Sequence, residues 1–342
     1  MMSLSSKCVF KNLIALLICF IIITGVVSAS PAFALAAENS VNQTADSIIR
    51  WKKNNLGLPE EDSLLSSQSL NIAGGAELDW FAFALERSGI NCDYTAYAAA
   101  LENSADKIFS GEENSSYLAT DLHRMCLAYY ACGGEPSEFN ADGDKLDLIA
   151  ESTYLYENVG RQGINGYIWA LITLDARGYE TGSSNCREEY ITNILSRRLP
   201  DGGFALSGDS ADPDMTAMAL TALAPYYNTL KEFNIGGETV TVKTVADDAL
   251  KVLSEIQTEE GDFKSWGVAN SKSTAWVLIA LLTYGIDINS EADYIKNGNT
   301  VLDGLLKYRD SDGGFCHSLG SLPDSMSSEQ ALYAYAALQR FA

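Results

Sequence analysis

Chemistry in this 342-residue chain has to come from carboxylates and aromatic rings, because the other reactive side chains are few and scattered. Histidine occurs only at His123 and His317, no local Ser-His-Asp constellation is present, and no glycine loop has the P-loop or Rossmann spacing. The sharpest feature is Asp212-Pro213-Asp214-Met215-Thr216-Ala217, two carboxylates at the start of an apolar helix. A carboxylate there caps free N–H groups and complements the helix dipole. Asp79, Asp121 and Asn165 hold the place of Asp214 in other copies of a repeat, so a recurrent cap accounts for four of six copies; Lys272 and Met326 break the series. Lys272 could instead face an anionic ligand group. Trp80, Tyr167, Trp169 and Trp276 fall near the starts of the same apolar helices. Apolar walls with a few convergent polar groups describe a small-molecule pocket, although the same rings could also simply fill an interior. The candidate ligand-binding residues are therefore Asp79, Trp80, Asp121, Tyr167, Trp169, Thr216 and Trp276.

The elements that position them repeat six times. Segments beginning at Asp79, Asp121, Asn165, Asp214, Lys272 and Met326 run into Ala/Leu-rich sequence and close on leucines 42, 44, 49, 58 and 54 residues apart. That period suits one helix pair plus loops per unit. Between them lie amphipathic stretches over 41–54, 94–109, 146–157, 188–197, 245–257 and 300–308. In the fifth, Leu250, Leu253 and Ile256 recur at helical spacing with charges between them. A helix apolar all round must be buried on all sides. The expectation is an all-α fold, an α6/α6 toroid with six inner and six outer helices, occupying residues 37–342 as one domain. An open superhelical solenoid is the competing arrangement.

Three later units share a turn that aligns without a gap: Arg198 to Phe204, Gln257 to Phe263 and Arg309 to Phe315. Each carries glycine where the chain needs positive φ, and a phenylalanine that can pack beneath. These residues resemble the Gln-x-x-x-Gly-x-Trp repeats of the terpenoid cyclase and protein prenyltransferase superfamily, with Phe as the aromatic. The likeness is clearest from about Gly163 to Ala342. It implies the α6/α6 toroid independently of the periodicity, a fold that cobalamin carriers also use. Asp212-Pro213-Asp214-Met215-Thr216-Ala217 looks like the Asp-x-Asp-Asp-Thr-Ala motif of class II terpene cyclases. The resemblance implies Asp214 as a catalytic general acid and Asp212 as its partner. Met215 stands where the motif has its last Asp, which removes one acceptor from that network. The zinc chemistry of protein prenyltransferases would need Asp, Cys and His from separate repeats. Cys316 and His317 are adjacent, and His123 reads as a polar rim residue, so no metal and no other cofactor is expected.

The N-terminus reads as an export signal over residues 1–36. Lys7 and Lys11 precede an apolar run from Leu13 to Val27, and small residues follow for cleavage near Ala34 or Ala36. Losing the two lysines takes the net charge from −22 to −24. That sign disfavours nucleic acid and anionic membrane surfaces as partners. Cys92, Cys126, Cys132, Cys186 and Cys316 remain, an odd number without framework spacing, and read as buried thiols. The expected function is a secreted or cell-surface protein that binds an apolar or amphiphilic small molecule, isoprenoid-like or corrinoid, without catalysis. A class II cyclase is the alternative.

Overall fold

The computed structural model describes residues 31–109, 117–141, 143–182 and 186–341, so the expected export signal lies, up to residue 30, outside the described residues. Among the described residues are twelve α-helices: α1 Pro31–Asn55, α2 Ala76–Arg87, α3 Tyr94–Phe109, α4 Ala119–Ala131, α5 Leu148–Ser152, α6 Ile164–Asp175, α7 Cys186–Leu195, α8 Pro213–Leu223, α9 Val242–Ile256, α10 Ser271–Thr283, α11 Val301–Leu306 and α12 Ser325–Phe341. The fold is mostly helical. Residues Val41–Ala342 form one compact unit, and Met1–Ser40 fall into another. No described helix is long and apolar enough to cross a membrane.

Odd and even helices differ as their sequences require. In α9 the buried residues follow one stripe, Val242, Val245, Ala246, Ala249, Val252 and Leu253, with charges on the other side. In α10 every residue from Ser271 to Leu282 except Lys272 is buried, so other elements must surround it. The even helices meet this need by packing on one another: α2 on α4, α4 on α6, α6 on α8, α8 on α10, α10 on α12, and α12 back on α2. The odd helices α3, α5, α7, α9 and α11 each pack against an even neighbour. Helix starts are set by side-chain caps: Asp212 before Pro213 for α8, Asn270 for α10, and reciprocal boxes at Thr241 for α9 and Thr300 with Asp303 for α11.

The three shared turns have one construction. Gly202, Gly261 and Gly313, fifth in each, have φ of 101°, 85° and 97°. At Gly261 a Cβ would come 2.2 Å from the Thr300 carbonyl oxygen, so close approach as well as φ demands glycine there. Phe204, Phe263 and Phe315 are fully buried beneath. The N–H of each phenylalanine donates to a hydroxyl on the next even helix: Thr216 Oγ1 at 3.0 Å, Thr274 Oγ1 at 3.2 Å and Ser328 Oγ at 2.9 Å. Gln257 Nε2 donates to the carbonyls of Gly261 and Tyr294, which ties its turn to the loop between α10 and α11.

Three antiparallel hairpins, absent from the sequence expectation, interrupt the helical pattern: β1 Phe139–Ala141 with β2 Asp144–Leu146, β3 Glu232–Ile235 with β4 Glu238–Thr241, and β5 Phe263–Ser265 with β6 Val268–Asn270. Strands of three or four residues are too short to leave a readable alternation. Helix α5 is also shorter than the expected 146–157, and Thr153 departs from helical dihedrals. His123 is corrected from a rim residue to a core one. It is wholly buried, its Nε2 lies 2.6 Å from the Ser152 carbonyl oxygen, and burial lowers its pKa to about 4. All five described cysteines carry free thiols, and burial raises that of Cys126 to about 12.

Candidate functional site: a cavity walled by the even helices

A cavity of about 640 Å³ opens among the first turns of the even helices. Residues four apart share a helix face, and five of the six even helices use that spacing to present a pair to the cavity. Thr120 and Arg124 come from α4, Asn165 and Trp169 from α6, Asp214 and Met218 from α8, Lys272 and Trp276 from α10, and Met326 and Gln330 from α12. The second and sixth residues of these five helices therefore make two successive tiers, the outer mostly polar and the inner richer in aromatics.

The inner tier rests on contacting rings. Trp80 lies 5.0 Å from Trp169, Trp169 5.7 Å from Trp276, Trp276 5.9 Å from Tyr333, Tyr333 5.1 Å from Phe83, and Phe83 6.1 Å from Trp80. The five contacts close a cycle contributed by α2, α6, α10 and α12, with most neighbouring rings edge-to-face as their quadrupoles prefer. Leu127 and Ala131 of α4 pack with Phe83 in the same apolar cluster. At the mouth, Leu206, Val268 and Met326 are exposed apolar residues, and Trp266 at the tip of the β5–β6 hairpin is 81% exposed. Trp266 and Gly267 both have positive φ, the backbone of a two-residue turn that matches strand twist.

Polar atoms on the walls are conspicuously unpartnered. Asn165 Oδ1, Asp214 Oδ1, His317 Nδ1, Glu329 Oε2 and Gln330 Oε1 are buried and make no hydrogen bond. Arg124, by contrast, is fully engaged: Nε donates to Asp79 Oδ2 at 3.0 Å, Nη1 to Asp121 Oδ1 at 2.9 Å, and Nη2 to the Gly74 carbonyl at 2.9 Å.

The two aspartates of the sharpest motif divide their roles. Asp212 is the N-cap of α8, accepting from the N–H groups of Asp214 at 3.1 Å and Met215 at 3.2 Å, and it also accepts from the Ser265 hydroxyl. Asp214 lines the cavity instead. Burial raises its pKa to about 6, helped by the Asp212 charge and opposed by the nearby Ser273 hydroxyl and Lys272.

Of the other candidates, Trp80, Trp169 and Trp276 line the cavity; Asp79, Asp121, Tyr167 and Thr216 do not. Asp79 is fully buried, accepting from Gly74 N–H at 2.9 Å, Tyr97 Oη at 2.7 Å and Arg124. Burial pushes its pKa up, while Arg124, the Tyr97 hydroxyl and the Gly74 N–H pull the other way. Asp121 accepts from Leu118 N–H at 3.1 Å, closing the start of α4, as the cap expectation required. Tyr167 packs 5.9 Å from Tyr190, with the Arg197 guanidinium 4.9 Å over its ring, in a separate cleft of about 220 Å³. Thr216 braces the turn at Phe204. Phe83, Arg124, Met218, Glu329, Gln330 and Tyr333 are wall residues that the sequence reading did not select. A search for positions four residues beyond Asn165, Asp214, Lys272 and Met326 finds Met218 and Gln330 along with the two tryptophans.

Compared with protein-family models and with curated proteins, the chain matches none. Among the described residues no group of three or more His, Cys, Asp or Glu side chains is arranged to hold a metal ion.

Proposed function

We propose that this chain is an exported α6/α6 toroid that holds an amphiphilic small molecule in its central cavity without transforming it. The cyclic packing of the even helices supports closure over an open solenoid. The observation that carries the binding reading is the union, in one cavity, of five contacting aromatic rings with five unpartnered polar atoms. Buried polar groups are ordinarily satisfied, and a ligand with an apolar body and polar groups would complete these walls. A volume of about 640 Å³ suits a drug-sized or isoprenoid-like molecule, whereas a corrinoid would stand partly outside. Export itself rests on the signal-like N-terminus.

The cyclase reading draws on Asp214, which lines the cavity and holds its proton more tightly than an ordinary aspartate. Binding is the better reading because an acid titrating at about 6 is mostly ionised at neutral pH. Asp212, its intended partner, is engaged in capping α8, and Met215 offers no acceptor in place of the motif's last Asp.

Native mass spectrometry of the protein purified from its source tests the proposal. One apolar or amphiphilic species per chain is expected, depleted by Trp169→Ala. A protein that carries nothing, and whose tryptophan fluorescence ignores isoprenoid alcohols, would sink it. Conversion of a prenyl substrate to a cyclised product, lost in Asp214→Asn, would move the assignment to the cyclase.

A further inference from the structure

Glu329 sits on α12 one turn below the mouth, 4% exposed, among the residues that line the cavity, and its Oε2 is buried and bonded to nothing. Each nearby cation is committed elsewhere. Lys52 of α1 donates to Glu77 Oε1 at 3.2 Å and Ser325 Oγ at 2.8 Å, and Arg124 of α4 is divided among Asp79, Asp121 and Gly74. Lys272, on the neighbouring α10, favours the ionised form of Asp214 and reaches Met326 Sδ at 3.6 Å. Beside Glu329, Gln330 Oε1 also lacks a donor, and Trp276 and Tyr333 meet edge-to-face.

Resting on the reading that this cavity binds a small molecule, we propose that the head group it receives is a protonated amine, seated against Glu329 with Gln330 beside it and the rings of Trp276 and Tyr333 around it. An isolated carboxylate in such a place is costly, so the empty cavity keeps it neutral. Burial raises its pKa to about 8, opposed by Lys52 and Arg124 and reinforced by Asp324 and Asp79. An ammonium supplies the missing charge and N–H donors, and aromatic faces attract it further. The step balances as a proton transfer: Glu329 loses its proton to solvent and the amine stays protonated, leaving an ion pair. A hydroxyl head would leave Glu329 protonated and release nothing. A carboxylate head would gain Lys272 but bring a like charge to a wall already holding Asp214. The net charge of −22 draws cations to the molecule from a distance.

The experiment uses the intact chain at pH 7 with octylammonium, 1-octanol and octanoate, one chain length with three heads. Binding is followed by tryptophan fluorescence and by calorimetry in two buffers of different ionisation enthalpy. Octylammonium should bind at least about tenfold more tightly than octanol, the value of one charge-assisted hydrogen bond. It should also release close to one proton per molecule bound. Glu329→Gln keeps the shape of the neutral acid, and it should abolish both the amine preference over octanol and the proton release. Proton release is read on the unaltered protein, so it stands even if the variant folds poorly. Octanol or octanoate binding as tightly as the amine, or amine binding without proton release, overturns the amine assignment and leaves small-molecule binding intact. No tryptophan response to any of the three removes the binding reading itself.

Discussion

The walls contributed by α2 and α4 and those contributed by α8 and α12 treat buried charge in opposite ways. Near α2 and α4, Asp79 and Arg124 are joined directly, and Tyr97, Gly74 and Asp121 complete their hydrogen bonds. On α8 and α12, Asp214 and Glu329 face the cavity with an oxygen unbonded, and burial raises the pKa of each. Both pairs come from the same kind of helix in the same kind of packing. The difference teaches that burial alone does not separate these carboxyls; the presence or absence of a partner does.

That contrast can be broken most severely at Arg124. Arg124→Met leaves the Asp79 carboxylate buried and uncompensated, and equilibrium denaturation should show a loss of about 3–5 kcal/mol. A loss below ~1 kcal/mol would mean that the α2–α4 network is no more structural than the cavity carboxyls. The next effect lies in pH dependence. The folded-state pKa of Glu329 is raised from 4.5 to about 8, so within that window the folded chain binds more protons than the unfolded one. Its contribution to stability is therefore complete below about pH 4.5 and is lost as pH rises through about 8. Stability curves of the wild type and Glu329→Gln should diverge by a few kcal/mol across that range; parallel curves would show a carboxyl with an ordinary pKa. The smallest effect separates two neighbours. Asp212→Ala removes the α8 cap and should cost about 1 kcal/mol, whereas Asp214→Asn, which caps nothing and above about pH 6 removes a buried charge, should cost nothing and should stabilise the fold at neutral pH. Equal losses would mean that Asp214 is part of the helix start after all.

Much of the candidate site was legible from the repeat, and the reason it was not wholly so is angular. In α6, α8, α10 and α12 the aligned column Asn165, Asp214, Lys272 and Met326 is the second residue of each helix, and all four line the cavity. In α4 the column picked Asp121, but the helix begins so that Thr120 and Arg124 face inward. One residue turns a helix face by about 100°, enough to take Asp121 off the wall, and Asp79 of α2 is displaced by the same kind of offset. Thr216 and Tyr167 lie two residues past the column, about 200° round, and so point away from the cavity. The recurrent cap was half right for a related reason. Asp121 closes its helix start, whereas Asp214 shares its column position but leaves the capping to Asp212.

The sequence by itself determined that this is a mostly helical chain, which helices alternate between one wet face and none, and where the glycine–phenylalanine turns fall. Those features are local: spacing of apolar residues, caps and positive φ act within a few residues. Only the tertiary structure decided which buried carboxyls found partners. Asp79 meets Arg124 across 45 residues of chain, and Glu329 fails to meet Lys52 because Glu77 and Ser325 hold it. Charge pairing depends on distances of a few ångströms between distant segments, and no pattern along the chain encodes it.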